Sequence, residues 1–490
     1  MNTTATITPQ RAERVYDIFR QLNAIPRASH HEEQVADFLC RYAESLGLAY
    51  DRDSENCVVI RKSASQGYED AEPVVLLNHM DMVAVGDGSR PFNPLTDGIL
   101  AYEDDGWLKA RGTSLGADNG IGLSMALAVL ADDSLQHPAL EVLTTTNEED
   151  GMSGAANLAE DFIKGRRVIN LDSEDYDTIT VGAAGAYLQM AHIPAGRTAS
   201  PQGLTFFEVT ISGGLGGHSG VDINKCRLNA NYEMCRLLFR FRHIPFHHDQ
   251  REETLHLVSI NGGNANASIA SACTAVVGVM ETDAEEFSQQ MEEGFIKIRS
   301  RYPAEPNLVL TVRETDPQPE VIADEDIPLL VHGLPCGVIR MRDDIADTVM
   351  TSNNIGIIST GEQAVSVSCH TRSFDDAEMV VVATDISHHF EAAGGKVEVI
   401  MNTPGWQERQ DSDYLRLVSK TFKDVLGFEP RPVAMHFVLE AGYYVQKYPG
   451  IEIACIGPRI IEPHSAKERV DISTVNDIYA VLIELLRRCQ

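Results

Sequence analysis

The chain has 490 residues, 43% apolar and 23% charged, an ordinary globular composition with material for roughly two to four domains. Acidic residues outnumber basic ones 72 to 40, and the formal net charge of −32 argues against nucleic-acid and anionic-membrane partners. No apolar run approaches the ~20 residues of a membrane span, residues 1–22 lack a signal-peptide core, and nine scattered cysteines without a CxxC pair read as reduced thiols, so a cytoplasmic protein is expected.

Taken in chain order, residues 9–22 carry Val15, Ile18, Phe19 and Leu22 at helical spacing, and 31–46 repeat the pattern with Val35, Phe38, Leu39 and Tyr42. Short apolar runs at 57–61 and 74–77 predict strands, 121–130 a helix, and 140–145 and 168–171 further strands. This alternation predicts an α/β domain with a mostly parallel sheet. After about residue 186 glycine-rich turns (GGLGG at 213–217, NGG at 261–263) separate strands from amphipathic helices such as 284–300. Near TPGWQ (403–407) the first texture returns, with a helix at 414–425, a strand at 453–456 and a closing helix at 478–488. The expected organisation is one discontinuous domain, 1–186 and 403–490, interrupted by an inserted α+β domain, 187–402.

The stretch LLNHMDMVAV (76–85) ends an apolar strand with His79 and Asp81 on one side. Three other strand ends or helix starts carry similar groups: Asp118 in GADNG, Glu148 and Glu149 in NEEDG, and Asp172 in NLDSED. A fourth, His464, lies in GPRIIEPHS after the strand at 453–456. In open α/β sheets, sites form outside the carboxyl ends of strands. Imidazole nitrogen with carboxylate oxygen and no thiolate suits zinc, manganese or cobalt. Carboxylates gathered together repel each other, and two divalent cations ~3.5–4 Å apart would reverse that balance. In that setting Asp81 would hold the second ring nitrogen of His79. Taken singly, each group has a plainer reading: Asp118 as a helix N-cap, NEEDG as a solvated loop, His464 as a loop histidine.

Together these blocks resemble the M20 metallopeptidases, and within them the aminoacyl-histidine dipeptidase branch. HMDMV, RGTSLGADNGIGLSMALAVL, NEEDGMSGA, LDSED, GGHSG, PGWQ and IGPRIIEPHS occur in the family's order across nearly the whole chain. The resemblance implies a di-zinc dipeptidase acting on Xaa-His, carnosine-like substrates, manganese or cobalt being alternatives. By resemblance, His79 and Asp172 bind one cation, Glu149 and His464 the other, and Asp118 bridges both. Glu148 is then the general base and Asp81 supports His79. The family also implies a cis peptide between Asp118 and Asn119. It implies that the insertion is a lid that also forms a homodimer. His218 in GGHSG would then stabilise the oxyanion in the partner's active site, and Arg372 in CHTRSF would hold the substrate carboxylate. Without the family, His218 reads as a turn histidine and Arg372 as a surface ion-pair residue.

The chain departs from the branch at NANASIA (264–270), where Asn266 stands in place of a substrate contact or that contact is lost, and at HFVLEAG (436–442). Two other readings stay open: an M20-type amidohydrolase acting on N-acyl amino acids, and a catalytically silent binding protein. Gly112-Thr113-Ser114-Leu115-Gly116 formally matches the serine-nucleophile elbow, but no clear apolar strand immediately precedes it. His247-His248-Asp249 reads as a surface loop, since Pro245 disfavours a helix carrying His243 and His247.

Overall fold

A computed structural model describes residues 7–243, 255–323, 326–407 and 412–490; the histidine run at 247–248 lies outside them. The chain divides into two compact units, one made of Met1–Gly182, Gln407–Ala434 and Glu440–Gln490, the other of Ala183–Trp406 and Met435–Leu439.

The first unit is built on an eight-stranded sheet in the order Ala49–Arg52, Val58–Lys62, Leu140–Thr145, Val74–His79, Arg167–Asn170, Glu452–Cys455, Thr178–Ala183, Arg431–Met435. Its centre is parallel: Val74–His79 pairs in parallel with both Leu140–Thr145 and Arg167–Asn170, which pairs in parallel with Glu452–Cys455. The parallel character stops there. Ala49–Arg52 and Val58–Lys62 form a hairpin, whose short connection allows only antiparallel pairing. Asp53 fixes that turn by accepting the N–H groups of Glu55 and Cys57. All six residues of VVLLNH are buried, as expected of a strand covered on both faces.

The helix Ala117–Leu130 is apolar on all sides and almost wholly buried. Pro9–Asn23 and Ile472–Arg488 pack against it. The last helix begins six residues before the expected 478, because the Asp471 carboxylate caps it by accepting the N–H of Ser473. A small antiparallel sheet, Ile460–Ile461, Arg469–Asp471, Trp107–Ala110, Ala101–Asp104, was not foreseen. Its strands are only two to four residues long, too short to show a period in sequence.

The second unit is an antiparallel nine-stranded sheet whose long central strands are Val349–Thr360 and Ala364–Ser373. The helices Ala230–His243 and Ala284–Arg299 bury their apolar faces with it in a separate core. At its centre Phe287 meets Phe207 and Phe241 with ring centroids 5.1 and 5.0 Å apart, the second pair edge-on. Phe287 is fully buried, so its truncation leaves a cavity that the rings cannot close. Phe287→Ala should destabilise this unit by about 3–5 kcal/mol in a denaturant titration.

Candidate metal centre

The parallel strands of the first unit end together, and their carboxyl ends carry the predicted groups. His79 is the last residue of Val74–His79, level with Thr145 of the neighbouring strand. Asp172 lies two residues beyond Arg167–Asn170, and Glu148 and Glu149 follow Leu140–Thr145 through a turn in which Asn147 has φ +56°. Asp118 opens the Ala117–Leu130 helix out of helical geometry, at φ −78° and ψ 113°, and its peptide bond to Asn119 is cis. His464, at φ +56°, sits in the loop between Ile460–Ile461 and Arg469–Asp471. The small sheet lays that loop beside the segment leading from Trp107–Ala110 to Asp118.

All five predicted ligands converge. His79 Nε2 is 3.1 Å from Asp118 Oδ1 and 3.1 Å from Asp172 Oδ1. His464 Nε2 is 3.1 Å from Asp118 Oδ2 and 2.9 Å from Glu149 Oε2. Asp118 therefore offers one oxygen to each imidazole and divides the cluster into two halves. Asn119 Nδ2 donates to Asp172 Oδ1 at 2.5 Å and holds that carboxylate in place.

Asp81 is fully buried and stands 3.4 Å from His79 Nδ1, within ion-pair distance, while that nitrogen makes no hydrogen bond among the described residues. It also accepts the N–H groups of Glu148 and Glu149, both at 3.1 Å, and the hydroxyl of Ser29 at 2.8 Å. One carboxylate thus holds the acidic turn and lies beside the ring. The segment around Ser29 adds more: Glu32 accepts the N–H of Asn147 at 2.8 Å, and His30 Nε2 lies 3.0 Å from Asp150.

The electrostatics are those of a crowded acidic pocket. Burial raises Asp172 to about 6 and Glu174 to about 8, with neighbouring carboxylates adding to the shift. Burial likewise pushes Glu148 well above the usual carboxylate range. His464 is raised to about 11 by its hydrogen bonds to Asp118 and Glu149. Burial pulls His79 down, but Asp172, Asp118 and Asp81 outweigh it and keep the ring protonated. Glu149 Oε1 is buried with no hydrogen-bond partner among the described residues. Nitrogen and oxygen donors facing one another with excess negative charge fit divalent cations of the zinc, manganese or cobalt class. One ligand atom each of His79, Asp118 and Asp172 lie within 4.8 Å of one another, as do atoms of Asp118, Glu174 and His464.

Glu174 and Glu440 were not singled out in the sequence. Glu174 stands two residues beyond Asp172 in the same acidic run, so its spacing was the available signal. Glu440 is the acidic residue within HFVLEAG, a stretch noted as a departure from the branch without a role for this residue. It is buried, accepts the Thr145 hydroxyl at 2.9 Å, and is raised by burial to about 8. Ser114 of the serine-elbow match is buried. Its hydroxyl donates to Val83 O at 2.7 Å and accepts from Val85 N–H at 3.1 Å, which leaves it tying a loop.

In the second unit burial and then Arg372 disfavour the charged forms of His218, His370 and His436, and His218 adds to the effect on the latter two. Arg372 is buried, with Nε and Nη1 lacking partners among the described residues, and burial lowers it to about 10. Both ring nitrogens of His370 are equally bare, and burial, then Arg372, holds it well below the ordinary histidine value. His436 Nε2 is 2.8 Å from the Ser352 hydroxyl. His218 Nδ1 accepts the N–H groups of Gly220 and Val221, each at 3.2 Å, so the neutral ring carries its proton on Nε2. Asn266 Oδ1 is buried without a partner among the described residues.

The profile of peptidase family M20/M25/M40 matches residues 75–488. The chain belongs to this family. It is 34% identical over 492 residues to the cytosol non-specific dipeptidase of Escherichia coli strain K12, covering 99% of each. It is 31% identical to the crystal structure of aminoacylhistidine dipeptidase from Vibrio alginolyticus, at a TM-score of 0.89 over 99% of this chain and 98% of that one. A tripeptidase from Staphylococcus aureus, 16% identical with a TM-score of 0.56 over 98% of each chain, has a similar fold.

Glu440 supplies a pH test in the metal-stripped protein. Its folded value of about 8 lies above the ordinary 4.5, so the folded state keeps a proton that the unfolded state has released. That contribution to stability is present below pH 4.5 and is lost as pH rises towards 8. Glu440→Gln should therefore melt with the wild type at pH 4.5 and above it at pH 8, by calorimetry.

Proposed function

We propose that the chain is a two-metal dipeptidase with its cations at the carboxyl ends of the parallel strands. The observation carrying this reading is Asp118, whose two oxygens each stand 3.1 Å from a different imidazole, the geometry of a bridging carboxylate. His79 and Asp172 would hold one cation, Glu149 and His464 the other. Zinc is the proposed metal, with manganese or cobalt able to substitute. Bound cations would supply Lewis acidity at the scissile carbonyl and a water that ionises near neutral pH.

Glu148 takes the proton of the attacking water and passes it to the leaving amine nitrogen. Its raised proton affinity suits the first of these steps. Asp81 positions Glu148 through the backbone and His79 through the ring. His218, with its proton on Nε2, is a donor for the oxyanion of the tetrahedral intermediate. Arg372, buried and short of acceptors, is a partner for the terminal carboxylate of a substrate. The names of its M20 relatives support dipeptides, and Xaa-His dipeptides are the first class to try.

The two units are proposed to be the catalytic domain, about 1–186 and 403–490, and a lid domain, about 187–402, that forms a homodimer. Supporting this, Lys396–Thr403 is the edge of the nine-stranded sheet and exposes Val399 and Ile400, and the adjoining helix Asp376–Ala392 exposes Val380 and Val381. A cytoplasmic location is proposed as well, supported by the likeness to the cytosol non-specific dipeptidase of Escherichia coli. Among the described residues, no helix is long and apolar enough to cross a membrane.

Hydrolysis of a dipeptide panel by protein stripped with a chelator and reloaded with zinc tests the proposal. Activity should vanish on stripping and return on reloading. Dipeptides with a free amine should be preferred to N-acyl amino acids, and the reverse order would favour the amidohydrolase reading. Glu148→Gln should lower kcat by about 10²–10⁴ with bound metal unchanged. Unaltered turnover in that variant would overturn the assigned base.

A further inference from the structure

Glu468 lies four residues beyond His464, at the end of the same loop, and its carboxylate is almost fully buried. Oε2 accepts the N–H groups of Leu115 and Gly116 at 2.7 and 2.8 Å, and Oε1 accepts those of Ala117 and Asp118 at 2.7 and 3.2 Å. Four successive amides therefore converge on one side chain where the Asp118 helix starts. Those of Gly116, Ala117 and Asp118, the N-cap and first two residues, are donors that a helix leaves unsatisfied at its start, and Leu115 precedes them. Here they are satisfied by a residue more than 300 positions away, from the loop that carries His464. The N–H of Glu468 itself is donated to Ser465 O at 3.1 Å, closing that loop on itself.

A second charge completes the arrangement. Arg27 is buried, and its Nη1 donates to Met80 O at 3.1 Å and Asp81 O at 2.9 Å, while Nη2 donates to Gly116 O at 2.5 Å. Its own carbonyl accepts the N–H of Met82 at 3.0 Å. The space for the guanidinium depends on glycine: a Cβ at Gly116 would lie 2.4 Å from Arg27 Nη2, and one at Gly120 2.6 Å. Gly116 also has φ +67°, a conformation that favours glycine.

We infer that Glu468 and Arg27 are positioning residues that together fix the spacing between His79, Asp118 and His464. Glu468 ties the His464 loop to the Asp118 segment, and Arg27 ties that segment to the turn after His79. Neither is among the proposed donors. Each binds main chain at or next to a ligand, Glu468 taking the N–H of Asp118 itself, so a small change in either moves a donor atom without removing it. The inference rests on the proposed metal centre.

The test is titration of the full-length, metal-stripped protein with zinc ion alone, against a chromophoric chelator, beside melting curves and steady-state kinetics. Glu468→Gln keeps the shape but sets an NH2 donor against two of the four N–H donors. It should weaken zinc binding by about tenfold or more and lower kcat, with KM nearly unchanged and a cooperative melt retained. Arg27→Lys, which loses the forked geometry but keeps the charge, should do the same. Glu468→Asp, with its carboxylate drawn back by one methylene, should lie between wild type and Glu468→Gln. Zinc affinity equal to wild type in folded Glu468→Gln and Arg27→Lys would overturn the inference, whatever their melting temperatures. So would failure of all three variants to fold, which would assign both residues to the fold alone. A wild-type protein that binds no zinc would instead overturn the metal centre itself, and is distinguished by the first titration.

Discussion

Repulsion among carboxylates is the constraint around which the first unit is arranged. Two carboxylates within 4.8 Å repel by about 3–4 kcal/mol at an effective dielectric near 20, and burial adds a desolvation cost for each. Asp118, Glu149, Asp172, Glu174 and Glu148 all feel this, and four of them hold protons more tightly than free carboxyls do. Asp118 is the exception, held low because hydrogen bonds from His464 and His79 outweigh its burial. A fold that assembles such a group must pin it by contacts other than those among its members.

Those contacts are to main chain, and they come from far away in sequence. Asp81 accepts two amides of the acidic turn, Glu32 a third, and Glu468 four at the start of the Asp118 helix. Each of these carboxylates is also buried, but each is surrounded by donors, which is the condition under which a buried charge is tolerated. The pocket thus separates two kinds of acidic residue. One kind is satisfied by amides and holds the frame. The other faces its own kind and the two imidazoles, and is left short of positive charge.

Much of this division was legible in the sequence, though unevenly. His79, Asp118, Glu149, Asp172 and His464 could be found because each follows an apolar strand or opens an apolar helix, and a parallel sheet brings such ends together. Asp81 could be found from its place two residues after His79, although the strand itself ends at His79 and Asp81 lies just beyond it. Arg27 and Glu468 could not. Arg27 lies in RASHHE, between two helices, and Glu468 in SAKERV, beside an ordinary basic residue. Their partners are backbone groups, which have no sequence signature. The small sheet that delivers Glu468 was missed for a related reason, since strands of two to four residues have no periodicity to read. The large second unit was visible as a change of texture, while its inner cluster of Arg372, His370 and His436 is spread over a strand and a separate return segment.

Formal charge explains why protons and divalent cations compete for the same space. Asp118, Glu149 and Asp172 bring three negative charges, and Glu148 a fourth once it has given up its proton. Two divalent cations bring four positive charges, so the proposed set is balanced when Glu148 is ionised and one charge positive when it is protonated. Without cations, the same deficit is met by protons on His79, on His464 and on the raised carboxyls. In the proposed centre, proton and metal would occupy the site by exchange, and the donors released would be the ones a ligand must present: neutral imidazole and ionised carboxylate. The proposed general base would gain from the same balance. Glu148 sits among groups that resist its ionisation, so it accepts a proton readily, and each cation bound beside it lowers the cost of giving that proton away.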